Sequence, residues 1–551
     1  MNEITLVILF SLGLFGFIMI MDWRSKMKLK QRIQAEWGKL PRRKPKDSEE
    51  SLQTAYQYKQ SKKDLLIDQI TWTDLDLFEV FERLNLTYSS IGSEALYAAL
   101  RAYNLNDTDL KKLEETIAYF DAHPTERMNT SYRFAQLGKK DFNYAEAQIN
   151  QQMTNPLNYP FIYALLGILP LIGLLLTFLN PIVGVVLLIA SLCLNTLVYL
   201  IKKSQIETEL AAMNYLVQGI ALGHSLSKKA IPRQSEMATA VQPFKSLLKL
   251  SFAFRVKSGG DSEMLLEMLS AAFLIPFISY SQVVHKVNTH NKEVKQLWEI
   301  LGHLEVAIAV LNLRLVYKEN WCLPEFCEEE KVTSQNMIHP LLDQPVPNPI
   351  NWKKSTLITG SNASGKSTYV RGVALNCLLA QTLNTCLATR FTLKPGLVIS
   401  SMGVQDSVIE GDSYFIAELK SLKRLIRHVQ SGTFCYSFID EILKGTNTIE
   451  RIAASSSTIE WLTTQHQLAF VATHDIELPQ ILGNHCDNIH FEESVSKEEG
   501  VSFDYLIKEG VATSRNAIKL IESMKFPPFI IEDAFKQAQN FDENKTWVPK
   551  Q

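Results

Sequence analysis

The chain has 551 residues, enough for three or four domains. Hydrophobic residues make up 46% and charged residues 21%, which excludes wholesale disorder, and a formal net charge of −2 confines any nucleic-acid surface to a local patch. The 7 cysteines are dispersed without a C-x-x-C pair, and Cys322 and Cys327 have no nearby His, which excludes a disulfide scaffold and a zinc site.

Ile4 to Met21 is an uncharged run followed by Trp23 and then by Arg24, Lys26, Lys28, Lys30 and Arg32. About 20 apolar residues cross a bilayer, and a Trp beside them suits the interface. A cleaved signal peptide would need a basic leader and a small-residue cleavage site, and neither is present, so the run reads as a transmembrane anchor over 1–23. Basic residues then place the following chain in the cytosol. Between Arg24 and Lys46 there are ten basic residues and one acidic residue, Glu36. This cytosolic linker, 24–64, reads as a flank on anionic headgroups, with a nucleic-acid contact as the rival reading.

From Leu65 to about Asn155 the apolar spacing is helical, as in Leu75, Phe78, Val80, Phe81 and Leu84, so 65–155 is expected to be a helical core. Phe161 to Ile201 is apolar, has no Asp, Glu, Lys, Arg or His, and is interrupted by Asn180-Pro181. It fits two spans, about Phe161–Leu179 and Ile182–Ile201, within a transmembrane hairpin over 156–203; a buried hairpin in a soluble core is the alternative. Lacking an ionisable side chain, the spans read as anchors and not as a solute path. Residues 204–345 are again expected to be helical, with one rod from about Tyr280 to Tyr317 and a break at Gly259-Gly260.

After Pro345 short β-branched runs alternate with helices, the pattern of an α/β domain with a mainly parallel sheet over 346–551. Ser355–Thr359 reads as a strand, followed by Gly360-Ser-Asn-Ala-Ser-Gly365-Lys366-Ser367-Thr368 and a helix. In this context G-x-x-x-x-G-K-S turns backbone amides toward phosphate oxygens, Lys366 reaches the β- and γ-phosphates of ATP, and the Ser367 hydroxyl ligates Mg²⁺. Phe434–Ile439 reads as a strand ending in Asp440-Glu441, where Asp440 would hold the Mg²⁺ shell and Glu441 would orient or deprotonate the attacking water. A further strand, Leu468–Thr473, ends at His474, placed to sense the γ-phosphate; as an isolated His it would be a surface residue.

These segments resemble the MutS family of ATPases. Gly360–Thr368 resembles the loop GPNMGGKST and keeps Asn362. Asp440–Thr448 is similar to DEIGRGTST, and Ala472-Thr-His474 to ATH. Gly403-Val-Gln-Asp406 with Glu410-Gly-Asp-Ser-Tyr-Phe415 and Glu418 is similar to the segment whose serine, here Ser413, contacts ATP across a dimer in that family. Asp74-Leu75 and Ser89-Ser-Ile-Gly92 resemble the start of its helical core, and Trp321–Phe326 with His339-Pro340 the lead-in to its nucleotide domain.

The fold implied is an α/β P-loop NTPase domain of MutS/ABC type, preceded by an all-α core/lever domain and carrying three transmembrane helices. The site implied comprises Gly360, Asn362, Gly365, Lys366, Ser367, Thr368 and Ser413 for ATP, Ser367 and Asp440 for Mg²⁺, and Glu441, His474 and Lys366 for catalysis. Residues 24–64 leave no room for the family's mismatch-reading domain. Phe-x-Glu triplets at Phe326, Phe491 and Phe541 lie in or beside the ATPase region. The expected protein is therefore a membrane-anchored MutS-like ATPase that hydrolyses ATP in a homodimer and moves helical levers. A DNA-binding ATPase acting on mismatched or branched DNA at the membrane is the alternative. An ABC transporter would need an L-S-G-G-Q signature, which is absent.

Overall fold

A computed structural model describes residues 3–41, 47–59, 66–103, 107–151, 153, 157, 159–248, 271–360, 364–403, 414–496, 500–512, 517–544, 546–547 and 549. The chain forms two compact units. One comprises Met1–Lys63, Phe81–Ala99 and Thr108–Val316, the other Asp64–Val80, Leu100–Asp107 and Tyr317–Gln551. Gly259-Gly260 and the proline-flanked basic stretch 42–46 lie outside the described residues.

The first unit is helical. Helix α1 (Glu3–Glu36) runs without a break from the apolar run into the basic segment. Phe17, Met19, Ile20, Met21 and Trp23 are all exposed on it. Helix α2 (Ser90–Leu100) opens at the Ser89-Ser-Ile-Gly92 turn. The apolar block folds into α3 (Pro160–Leu176) and α4 (Pro181–Gln205). Asn180 caps α4 by accepting the Val183 amide, and Pro181 starts the helix where its missing N–H costs nothing. Phe178, Leu179 and Ile182 around the hairpin turn are 83%, 84% and 79% exposed.

The expected single rod is two helices, α5 (Ile275–Thr289) and α6 (Asn291–Tyr317). The break falls at His290, in a run of weak helix formers, Thr289-His290-Asn291, and the Asn291 side chain donates through Nδ2 to the Ile149 carbonyl at 2.6 Å. Two described helices are long and apolar enough to cross a membrane, α4 and α6. In α6 78% of the apolar window is buried, so it is a core helix, whereas in α4 only 22% is.

Glu305 on α6 explains the turn before α2. Its carboxylate accepts the Tyr88 amide at 2.6 Å, the Ser89 amide at 3.3 Å and the Ser89 hydroxyl. Burial pushes its pKa up to about 7 against the opposing pull of these bonds and of Lys139. A carboxyl raised in the folded state favours folding below its ordinary pKa of 4.5, and that advantage is lost as pH rises through 7. The thermal midpoint of this unit is therefore expected to fall between pH 4.5 and 7, and to fall less in Glu305→Gln. An equal fall in both would exclude Glu305 as the titrating group.

The second unit holds two sheets. The larger has the order β10-β9-β4-β8-β7-β6, from β4 (Thr356–Thr359), β6 (Leu397–Ser401), β7 (Cys435–Asp440), β8 (Gln467–Ala472), β9 (Asp487–Ser496) and β10 (Gly500–Glu509). Its pairs are parallel except β9–β10, which is an antiparallel hairpin. Strands β4, β6 and β8 are buried end to end, as expected of strands covered on both faces. Beside it stands a four-stranded sheet, β1-β5-β2-β3, from β1 (Pro324–Phe326), β2 (Val332–Met337), β3 (Asn348–Trp352) and β5 (Arg390–Leu393). Trp352 joins the core, its ring 4.2 Å from that of Phe470 and 5.4 Å from that of Phe438.

Residues 66–80 and 100–103, which the sequence pattern grouped with the helical core, pack as a strap on this α/β unit. Tyr103 hydroxyl donates to the Val398 carbonyl at 3.1 Å and accepts the Val398 amide at 2.9 Å. The buried Asp74 carboxylate accepts Ser400 Oγ at 2.7 Å and the Met402 and Gly403 amides at 2.9 and 3.0 Å. The strap thus fixes the C-terminal end of β6. All seven cysteines are free, as their dispersed spacing implied.

Candidate functional site

In a parallel sheet, loops after the strands' carboxyl ends are where ligands bind. Here the ends of β4, β7 and β8 bring together the residues singled out above. After β4 the chain turns at Gly360 (φ 137°) and enters helix α7 (Lys366–Leu383) through Gly365 (φ 101°), a conformation a side chain resists. A Cβ on Gly365 would also press within 3.2 Å of the Tyr505 ring. Lys366, at the first turn of α7, is buried, and its Nζ donates to the Gly360 carbonyl at 2.6 Å, folding the loop back on itself.

Asp440 closes β7, and Ser367 hydrogen-bonds to its carboxyl, partly opposing the burial that raises the Asp440 pKa. Glu441 follows in left-handed backbone (φ 57°), and its amide donates to the Ala472 carbonyl at the end of β8 at 2.9 Å. A carboxylate carrier held at positive φ is a strained position, common at functional sites. The turn aims the Glu441 side chain at His474, whose Nε2 lies 2.9 Å from Glu441 Oε1, while Lys444 pairs with Oε2. The hydrogen bond from His474, then the Lys444 ammonium, hold the Glu441 pKa down at about 2 against burial.

Lys366 Nζ also lies 3.3 Å from His474 Nε2. One ring nitrogen either donates to Glu441 or accepts from Lys366, so the two contacts compete for a single proton position. The position of His474 is set by its neighbours: the Thr473 amide is bonded to the Ile358 carbonyl of β4 at 3.0 Å, and Asp475 accepts from Arg451 Nε and Nη2 at 3.0 and 2.6 Å. Arg451 lies on helix α9 (Thr448–Thr463), which Asn447 caps.

Two elements of the site were not assigned from the residues. Glu418, on helix α8 (Tyr414–Gln430), is buried and accepts the Lys444 and Gly445 amides at 2.9 and 3.3 Å, fixing the loop that carries Lys444. Its appearance in the motif segment was the only signal. Beside the loop that enters α7 opens a cavity of about 370 Å³ lined by Gly365, Thr368, Tyr369, His339, Phe491 and Tyr505. Asn348 braces it, donating to the Tyr505 carbonyl at 2.8 Å and accepting the Ile507 amide at 2.9 Å. Asn362 and Ser413 lie outside the described residues. Among the described residues no cluster of three or more His, Cys, Asp or Glu forms a metal site.

Residues 356–542 match the family model of MutS domain V. That segment is similar to the ATPase domain of the MutS family. The DNA mismatch repair protein MutS of Staphylococcus haemolyticus is 25% identical over 283 residues, which cover 47% of this chain and 31% of that relative. The chain thus spans about a third of the length of the curated relative it matches. The MutS domain match contains Gly360, Gly365, Lys366, Ser367, Thr368, Asp440, Glu441 and His474.

Proposed function

We propose that this chain is a membrane-anchored MutS-like ATPase. The observation that carries the reading is the convergence of Lys366, Ser367, Asp440, Glu441 and His474 at three adjacent strand ends. The loop from Gly360 to Thr368, Asn362 included, would receive the phosphates of ATP on its backbone amides and on the α7 N-terminus. Lys366 Nζ would exchange the Gly360 carbonyl for a phosphate oxygen. The aromatic cavity beside Thr368 has the size and apolar wall that a nucleoside base requires.

Ser367 hydroxyl and the Asp440 carboxyl form a hard oxygen pair that suits Mg²⁺, and a buried acid whose charge is penalised gains most from a cation. When bound, the ion would offset phosphate charge. Glu441, ionised throughout the neutral range, would orient or deprotonate the attacking water once His474 or Lys444 releases one of its oxygens. His474 would report the γ-phosphate through Nε2, which either donates to Glu441 or accepts from Lys366. Ser413 would complete the site of a second copy in a homodimer, and closure of that dimer would move α5 and α6 as levers.

Three spans would hold the protein in the membrane: residues 4–21 of α1, α3 and α4, with the nucleotide domain in the cytosol. The exposed apolar surface of α3 and α4 supports this, as do the lysines Lys202 and Lys203 that end α4. The second reading, a DNA-binding ATPase, draws on the name of the Staphylococcus haemolyticus relative and on the exposed Arg24, Lys26, Lys28 and Arg32.

The deciding experiment is the ATPase rate in nanodiscs with and without duplex, branched and single-stranded DNA across a salt series. The expected result is a Mg²⁺-dependent rate indifferent to every DNA. Stimulation that weakens as salt rises would favour the second reading, and no hydrolysis under any condition would overturn both.

A further inference from the structure

Asn195 is fully buried in a hairpin otherwise sheathed in apolar side chains. It stands seven residues before Lys202, roughly 10 Å along the helix from the basic end of α4. Its Nδ2 donates to two backbone carbonyls, Leu166 at 2.9 Å and Ala272 at 2.8 Å. Both acceptors precede a proline by four residues: Leu166 precedes Pro170 inside α3, and Ala272 precedes Pro276 at the start of α5. A proline nitrogen has no hydrogen, so each carbonyl lacks the donor that would answer it in a continuous helix. One amide group therefore answers two carbonyls released by two prolines.

The second carbonyl belongs to a segment outside the hairpin. Residues 271–281, Ala-Ala-Phe-Leu-Ile-Pro-Phe-Ile-Ser-Tyr-Ser, carry no charge. They turn at Leu274, held in left-handed backbone (φ 54°), and run into the first turns of α5. They are fastened to α3 and α4 at the depth of Asn195. The Phe277 ring lies 5.3 Å from that of Tyr163 on α3 and 5.6 Å from that of Tyr199 on α4. Gly167 makes this approach possible, since a Cβ there would lie 2.5 Å from the Phe273 carbonyl oxygen. Phe273, Ile275 and Ile278 stay half-exposed, and the first fully exposed polar residue along α5 is Gln282, followed by His285.

We infer that residues 271–281 form a re-entrant membrane element, latched by Asn195 to the hairpin, with lipid acyl chains covering Phe273, Ile275 and Ile278. This rests on the membrane reading of α3 and α4. Irregular backbone at membrane depth survives only where protein satisfies its polar groups, and Asn195 supplies that satisfaction. Interhelical amide bonds of this kind join apolar helices that have no hydrophobic drive to associate within lipid. α5 is then rooted in the bilayer itself, and any displacement of α5 bears on the hairpin through Asn195.

The test uses the full chain in nanodiscs, in a background lacking Cys193, Cys322 and Cys327, the three thiols that are not buried. Nitroxide labels are placed singly at Phe273→Cys, Ile278→Cys, Ile189→Cys on the exposed face of α4, and His285→Cys. Power saturation with oxygen and with a water-soluble nickel chelate reads their surroundings. The first three are expected to favour oxygen and the fourth the chelate. Oxygen preference at 189 with chelate preference at 273 and 278 overturns the re-entrant element while leaving the hairpin in the membrane. Chelate preference at all four overturns both.

The latch is read by amide exchange over 275–281. Asn195→Val is expected to speed exchange about three- to tenfold, the range for one to two interhelical hydrogen bonds. The effect should shrink in a Pro170→Ala background, where residue 170 regains an N–H for the Leu166 carbonyl. Exchange unchanged by Asn195→Val would remove the latch.

Discussion

Lys366→Ala is expected to abolish ATP binding. The side chain is buried at the start of α7, and its ammonium donates to the Gly360 carbonyl. Removing one partner of a buried, hydrogen-bonded charge pair costs about 2–5 kcal/mol, a factor of roughly 30 to several thousand in Kd. Titration calorimetry with ATP and Mg²⁺ reads the loss directly. Because the substitution also strips the Gly360 carbonyl of its donor, the thermal midpoint of the variant is needed beside it. A variant that stays folded and binds ATP like the parent would remove Lys366 from the phosphate site.

Glu441→Gln should separate binding from hydrolysis. Glutamine keeps the shape and still reaches His474, but it cannot take a proton from water or hold the charge that pairs with Lys444. ATP affinity is expected to stay within a few fold while the rate falls about 10²–10⁴-fold, the usual worth of a positioned general base. The nucleotide-bound dimer should accumulate on size exclusion. Turnover at the parental rate would exclude Glu441 as the base. The acid side carries a second expectation. A carboxyl depressed to about 2 contributes stability above its ordinary pKa of 4.5, and that contribution is lost as pH falls from 4.5 through 2.

What was legible in the chain was whatever depends on near neighbours. The strand read at Phe434–Ile439 is β7 displaced by one residue, and that at Leu468–Thr473 is β8 displaced by one. The glycines of the phosphate loop announce their own backbone conformations, and so place Lys366 at the start of α7. The less visible features join residues far apart. Glu418 meets the Lys444 amide across 26 positions, and Asn348 meets the Tyr505 carbonyl across 157. Nothing in the local pattern of β9 and β10 marks Phe491 and Tyr505 as cavity walls, because alternation says only that one face is covered. The smaller sheet was missed for the same reason: β1 and β5 pair over more than 60 positions, with buried Phe391 opposite Pro324. The helix break at His290 escaped notice because apolar spacing continues on both sides of it.

The strap of residues 66–80 and 100–103 has a consequence for how the protein is made. Tyr103 waits for Val398, 295 positions later, and Asp74 waits for Ser400, 326 positions later. At the usual 5–20 residues per second of synthesis, that delay is roughly 15–65 s. During it Trp72, Leu75 and Tyr103, all buried in the finished protein, are on the ribosome's product without the strands that cover them. The α/β unit is thus the last part of the chain able to complete itself, because the strap has no partners until β6 and the strands that pair beside it have been delivered.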